Sequence, residues 1–190
     1  MSDTDALPTR HKLDADAYYR MAEAGILARH ERVELINGEM LDMAPIGQDH
    51  ETTVNRLNRA LVMAFGDNGI VSVQNSLRLD HLNVPQPDFV VLRPRADDYA
   101  TGARPSPADV LLLIEVADSS LRYDSTSKLA LYAQAGIAEY WIVDLKRRIL
   151  QAHTQPGPAG YASSSEHGPA GIVVPALAPG VRIALDRILG

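Results

Sequence analysis

The chain has 190 residues, of which 46% are hydrophobic and 22% charged, with a net charge of −6 and a pI near 5.4. This composition supplies enough apolar material for the core of one globular domain. It argues against a protein that coats nucleic acid through a basic surface, though a basic groove around an acidic site stays open. The absence of cysteine excludes disulfides, thiolate catalysis, Fe–S clusters and cysteine-based zinc sites.

Met1 to Arg10 is polar and holds two aspartates, unlike a signal or transit peptide. No apolar run approaches the roughly 20 residues of a membrane helix. A cytoplasmic protein is expected, with a flexible segment over 1–13 and a single domain over 14–190. Asp14 is placed to cap a short helix through Tyr18, Met21 and Ala22, and Gly25 to end it. Asn37-Gly38, between the runs Val33–Ile36 and Glu39–Leu41, predicts a β-hairpin because both turn positions take positive φ. From Asp49 to Phe65, Val54, Leu57, Leu61, Ala64 and Phe65 recur at helical spacing, and Gly66 and Gly69 stop the helix.

Three strands are expected next, over Ile70–Leu79, Asp88–Leu92 and Val110–Ala117, in an order compatible with a meander. The third is continuously apolar and reads as a central strand covered on both faces. Asp124 is placed to cap a helix from Ser125 to Ala135, with Gly136 at its end. Glu139–Asp144 is a strand, and the strand–helix–strand step predicts a parallel pair joined by a right-handed crossover. Ile149–Ala152 is a further strand, Pro156–Gly171 reads as a flexible loop, and short apolar runs at Ile172–Val174 and Val181–Ile183 end the chain. The expected fold is α/β, a mixed sheet flanked by helices behind an N-terminal hairpin.

Glu115 stands inside the apolar run Val110–Ala117, where a carboxylate costs several kcal/mol unless it is paired or holds a metal. A buried ion pair and a functional site both satisfy that demand. Asp88 follows Pro87, which starts the second strand rigidly. Such an aspartate is commonly a turn or cap residue. Set beside Glu115 on a neighbouring strand, it forms a carboxylate pair suited to a hard cation such as Mg²⁺. Lys128 lies one turn into the following helix, leans back toward the Glu115 end of the sheet, and shares a face with Tyr132 and Ala135. A lone lysine is ordinarily a surface residue. This chain, however, has three lysines, Lys12, Lys128 and Lys146, against fifteen arginines. A lysine kept where arginine is the habit fits proton handling or water orientation. The other histidines, His11, His30, His81, His153 and His167, show no metal-ligand spacing, and Walker, dinucleotide and nucleophile-elbow motifs are absent.

The stretches Glu34–Glu39, Gln86-Pro87-Asp88, Ile114-Glu115-Val116, Lys128–Tyr132 and Ala135–Asp144 resemble the Uma2 family, grouped with restriction-endonuclease-like PD-(D/E)XK nucleases. The resemblance runs from about Tyr18 to Leu185. It implies an α-β-β-β-α-β core, with Asp88 and Glu115 as the acidic motif residues. Ala117 occupies the place of that superfamily's usual lysine, and Lys128 on the following helix is its family-like replacement. Glu34 is then an accessory carboxylate or a strand-edge charge, His50 a site-lining donor or a helix-start residue, and Gln86 an accessory from the Pro-Asp motif.

The function implied is a Mg²⁺- or Mn²⁺-dependent endonuclease acting on DNA. Asp88, Glu115 and the Val116 carbonyl would hold metal, and Lys128 would orient water or aid its deprotonation. Cleavage of both duplex strands favours a homodimer. Two other readings stand beside it: a non-catalytic nuclease-fold module for nucleic-acid binding or protein interaction, and a hydrolase of small phosphate esters.

Overall fold

The computed structural model describes residues 9–28 and 31–190. Most of the expected flexible start and His30 lie outside that range, whereas Leu13 is tied to the hairpin turn by its N–H on the Gly38 carbonyl at 3.0 Å. Helix α1, Ala15–Glu23, begins at Asp14, whose extended backbone lets its carboxylate accept the Ala17 N–H at 2.7 Å. Strands β1, Val33–Ile36, and β2, Glu39–Asp42, pair antiparallel about Asn37 (φ 53°) and Gly38 (φ 77°). Helix α2, Gln48–Phe65, follows and is stopped at Gly66 (φ 49°).

A six-stranded sheet forms the centre of the molecule. Its strands are β3, Ile70–Val73; β4, Phe89–Leu92; β5, Val110–Ala117; β6, Glu139–Asp144; β7, Ile149–Gly157; and β8, Gly160–His167, in spatial order 3-4-5-6-7-8. Only β5 and β6 run parallel. Their crossover contains helix α3, Leu121–Tyr123, a wide π turn over Asp124–Lys128 and helix α4, Leu129–Gln134. Strands β9, Ile172–Val173, and β10, Ile183–Ala184, form a separate small sheet, and helix α5, Asp186–Leu189, packs on α2.

Apolar side chains divide between the two faces of the sheet. Val54, Leu57, Leu61 and Phe65 of α2 meet Leu112, Ile114 and Val116 on one face. Tyr132 and Ile137 meet Leu113, Ala117, Tyr140 and Ile142 on the other. Side chains alternate along a strand, so Glu115 faces the α4 side with Leu113 and Ala117.

Three expectations are corrected. The first strand ends at Val73, because Gln74 takes φ 51° and the chain then pairs with a stretch holding Pro85 and Pro87, which lack donors for a full ladder. Asp124 is not a helix cap: its φ −66° and ψ −39° are helical, and the helix has already begun at Leu121. The span 156–171 is not a loop. It carries the end of β7 and all of β8, whose Ala, Ser and Gly residues suit a largely exposed edge strand.

Candidate active site

The antiparallel ladder between β4 and β5 stops at Phe89 opposite Ile114. Beyond it, side chains take the place of the next backbone rungs. The Asp88 N–H donates to Glu115 Oε2 at 3.2 Å, and the Val116 N–H donates to Asp88 Oδ2 at 2.9 Å. Both carboxylates are therefore fixed at the point where two central strands part. A residue's N–H and C=O leave a strand on the same edge, so the Val116 carbonyl also faces this opening.

Asp88 has further partners. Gln74 Nε2 donates to Oδ1 at 3.1 Å, His50 Nε2 lies 3.0 Å from Oδ2, and Arg32 stands 3.7 Å from Oδ1. Burial raises the Asp88 pKa, but the His50 contact and the Val116 and Gln74 donors outweigh it and hold the carboxyl below its ordinary value.

Lys128 reaches inward from the π turn. Its Nζ donates to Glu115 Oε1 at 2.9 Å and to Glu34 Oε1 at 3.0 Å. Tyr132, one turn on, donates its hydroxyl to the same Glu115 oxygen at 2.7 Å. Burial pushes Glu115 up to about 8, with Lys128 pulling the other way and Asp88, Asp124 and Glu34 adding to the rise. Burial would lower Lys128, yet Glu115, Glu34 and Asp124 together raise it, so the ammonium stays charged. Asp124 accepts the Ser120 hydroxyl at 2.6 Å, and burial pushes it up to about 6. A π turn widens a helix by one residue, and here both its ends, Asp124 and Lys128, are buried against the site.

A cavity of about 270 Å³ opens onto this cluster, lined by Asp88, Glu115, Val116, Asp124, Lys128, Arg32 and His50 among others. The structure thus brings together Asp88, Glu115, Lys128, His50 and the Val116 backbone. Glu34 sits behind Lys128, fully buried, and Gln86 is joined to it through its backbone N–H on Glu34 Oε1 at 2.8 Å. The Gln86 side chain does not line the cavity. Arg32, Gln74, Asp124 and Tyr132 were not singled out as site residues. Asp124 and Tyr132 were legible as the positions four residues either side of Lys128, on its own helix face. Arg32 and Gln74 carry no local signal.

The Uma2 family model, described as "Putative restriction endonuclease", matches residues 15–186. The chain belongs to the Uma2 family. No curated protein matches it. Among solved structures, it is similar to one described as "a putative nuclease belonging to DUF820" from Anabaena variabilis ATCC 29413, with a TM-score of 0.64 and 13% identity. That match covers 83% of this chain and 89% of the other. At such low identity it speaks for the fold, a restriction-endonuclease-like mixed sheet flanked by helices. Among the described residues no helix is long and apolar enough to cross a membrane.

Proposed function

We propose that this Uma2 protein is a divalent-metal-dependent endonuclease that hydrolyses phosphodiester bonds of DNA. The observation that carries the reading is the convergence of Asp88, Glu115 and Lys128 on one cavity at the parting of β4 and β5.

The residues fit a hard cation on three grounds. Three buried carboxylates, Glu34, Glu115 and Asp124, act on one buried ammonium, and a fourth, Asp88, has the Arg32 guanidinium beside it. Burial, with Asp88, Asp124 and Glu34 adding to it, pushes Glu115 up to about 8 against the pull of Lys128, so a further cation would be favoured beside it. Three buried polar atoms around the cluster, Glu34 Oε2, His50 Nδ1 and Tyr123 OH, have no partner. Among the described residues no three acidic or histidine side chains are gathered as a ready metal cage. Mg²⁺ does not call for one, since it commonly uses one or two carboxylates and fills its shell with water and phosphate oxygens. Asp88, Glu115 and the Val116 carbonyl would hold Mg²⁺ or Mn²⁺. Bound there, the metal would supply Lewis-acid stabilisation of the phosphate and a more acidic water.

The chain's own groups do the rest. Held charged by Glu115, Glu34 and Asp124, Lys128 is a donor placed to orient water or a phosphate oxygen or to aid deprotonation of that water. Tyr132 fixes the Glu115 carboxylate and His50 fixes Asp88. The Arg32 side chain, 27% exposed and on the cavity wall beside Asp88, is placed to meet phosphate. Cleavage of both strands would call for two copies acting together.

Plasmid nicking with Mg²⁺ or Mn²⁺ tests the reading. Activity should vanish in Asp88→Asn and Glu115→Gln, and cleavage that survives both substitutions overturns it. A catalytically inactive module is the second reading, favoured by the fact that both oxygens of Asp88 and of Glu115 already have protein partners. Calorimetric titration with Mg²⁺ separates the two: an inactive site gives no heat of binding that depends on Asp88.

A further inference from the structure

Asp124 is a buried carboxylate on the cavity to which the proposed chemistry gives no task. It is 2% exposed, begins the π turn that ends at Lys128, and lines the cavity with Asp88, Glu115 and Lys128. Its backbone is held on both sides. The Asp124 N–H donates to the Ser120 carbonyl at 3.0 Å, and the Tyr140 hydroxyl donates to the Asp124 carbonyl at 3.1 Å. The Ser120 hydroxyl donates to Oδ2 at 2.6 Å, which leaves the side chain little freedom to turn.

The second oxygen sets Asp124 apart from its neighbours. Asp88 Oδ1 accepts from Gln74, and Oδ2 accepts from the Val116 N–H. Glu115 Oε1 accepts from Lys128 and Tyr132, and Oε2 accepts from the Asp88 N–H. Asp124 Oδ1 accepts no hydrogen bond among the described residues, and it is not one of the partnerless polar atoms sealed inside the protein. It therefore borders the open space of the cavity. Asp118 also lines that space, but its side chain is 47% exposed and lies 3.6 Å from Lys146, facing solvent and a cation of its own. The Asp124 side chain shares no hydrogen bond with Asp88, Glu115 or Val116, so a proton arriving on it leaves the groups assigned to the metal undisturbed.

Hydrolysis of a phosphodiester needs a destination for the proton of the attacking water. The Lys128 ammonium favours its loss by stabilising negative charge on the water oxygen, and the proton itself must pass to a lone pair. Lone pairs of Asp88 and Glu115 are engaged by protein donors and, in the proposed chemistry, by the metal. Asp124 Oδ1 offers a free one in the same cavity. Burial pushes the Asp124 carboxyl up to about 6 against the pull of Lys128 and the Ser120 hydroxyl, with Asp88 and Glu34 adding to the rise. Such a group is ionised at neutral pH and basic enough to take a proton in passing.

We propose that Asp124 is the proton acceptor of the hydrolysis, its Oδ1 receiving the proton of the water that attacks phosphorus. The water oxygen bonds to phosphorus as its proton passes to Oδ1. The bond from phosphorus to the leaving sugar oxygen breaks with its electron pair, and that oxygen takes a proton from solvent. Asp124 then returns its own proton to solvent. This rests on the nuclease reading of the cavity and assigns it a residue that reading does not use.

The test is plasmid cleavage by the full chain at saturating DNA and Mg²⁺, comparing wild type with Asp124→Asn and Asp124→Ala. Asn keeps the shape and an acceptor for Ser120 but is no base. Its rate should fall by about 100- to 10,000-fold. Calorimetric Mg²⁺ affinity should stay at the wild-type value, and circular dichroism melting checks that both variants are folded. Added formate or acetate should restore part of the Asp124→Ala rate, acetate more than formate because it is the stronger base. The same concentration of chloride should not.

Wild-type rates in Asp124→Asn, with cleavage still dependent on Asp88 and Glu115, overturn the acceptor role and leave the nuclease reading standing. A slow variant that has also lost Mg²⁺ binding makes Asp124 a metal holder and overturns it too. So does an Asp124→Ala variant indifferent to both carboxylates, which would reduce Asp124 to positioning Lys128. A wild-type chain that cleaves no DNA overturns both readings.

Discussion

Lys128 Nζ lies 2.9 Å from Glu115 Oε1, joining a π turn to the central strand that precedes it by thirteen residues. The same ammonium touches Glu34 at 3.0 Å, so one lysine neutralises two carboxylates drawn from different sheets. All three side chains are at most 5% exposed. Removing one member of such a buried set leaves charge without compensation.

Lys128→Met is therefore expected to destabilise the protein by about 3–5 kcal/mol, read from urea unfolding. Combining it with Glu34→Gln should recover part of that loss, because the second change removes one of the stranded carboxylates. Strictly additive effects of the two substitutions would mean that the pair is not coupled.

Tyr132→Phe removes a hydroxyl and little else. The lost bond is the 2.7 Å contact to Glu115 Oε1, in a fully buried setting. The expected cost is about 1–3 kcal/mol of stability, because a buried carboxylate oxygen loses one of its two donors. Cleavage should also fall, through looser placement of Glu115. Unchanged stability and unchanged cleavage would show that Lys128 and the Asp88 N–H suffice to position the carboxylate.

How much of this was legible in the sequence depended on how local each cause was. Glu115 stood out because a carboxylate inside Val110–Ala117 needs an explanation, and the Asn37-Gly38 turn announced its own backbone geometry. Asp124 misled because Asp ahead of a helical run is the usual cap, whereas here the helix starts at Leu121 and a π turn carries Asp124 inward. The β7–β8 hairpin was hidden by composition, since an exposed edge strand can be built from Ala, Ser and Gly that otherwise signal a loop. Arg32 and Gln74 reach Asp88 only through tertiary folding, which no local pattern records.

Gly38 is a second place where one atom decides. Its φ is 77°, and a Cβ there would lie 2.7 Å from Lys12 Cβ and 3.1 Å from the Leu13 carbonyl oxygen. Gly38→Ala combines an unfavourable backbone region with a steric clash and should destabilise by about 1–3 kcal/mol. Equilibrium unfolding checks this. A neutral result would mean that the segment before α1 moves aside freely.

His153 on β7 gives the fold a pH dependence separate from the carboxylate cluster. Its ring centroid lies 6.0 Å from those of Tyr140 and Tyr161, and its Nε2 has no hydrogen-bond partner. Burial lowers its pKa below the ordinary 6.5, so the folded protein holds the neutral ring. As pH falls through about 6.5 the unfolded chain takes up the proton first, which favours unfolding. The His153 contribution is thus complete above about 6.5 and is lost on acidification, until the lower folded pKa is passed. His153→Phe keeps an aromatic ring beside both tyrosines and removes the titration. Thermal unfolding midpoints followed from neutral pH to about pH 5 should fall less steeply in that variant than in the wild type. Parallel curves would show that the imidazole is protonated as easily in the fold as in the unfolded chain.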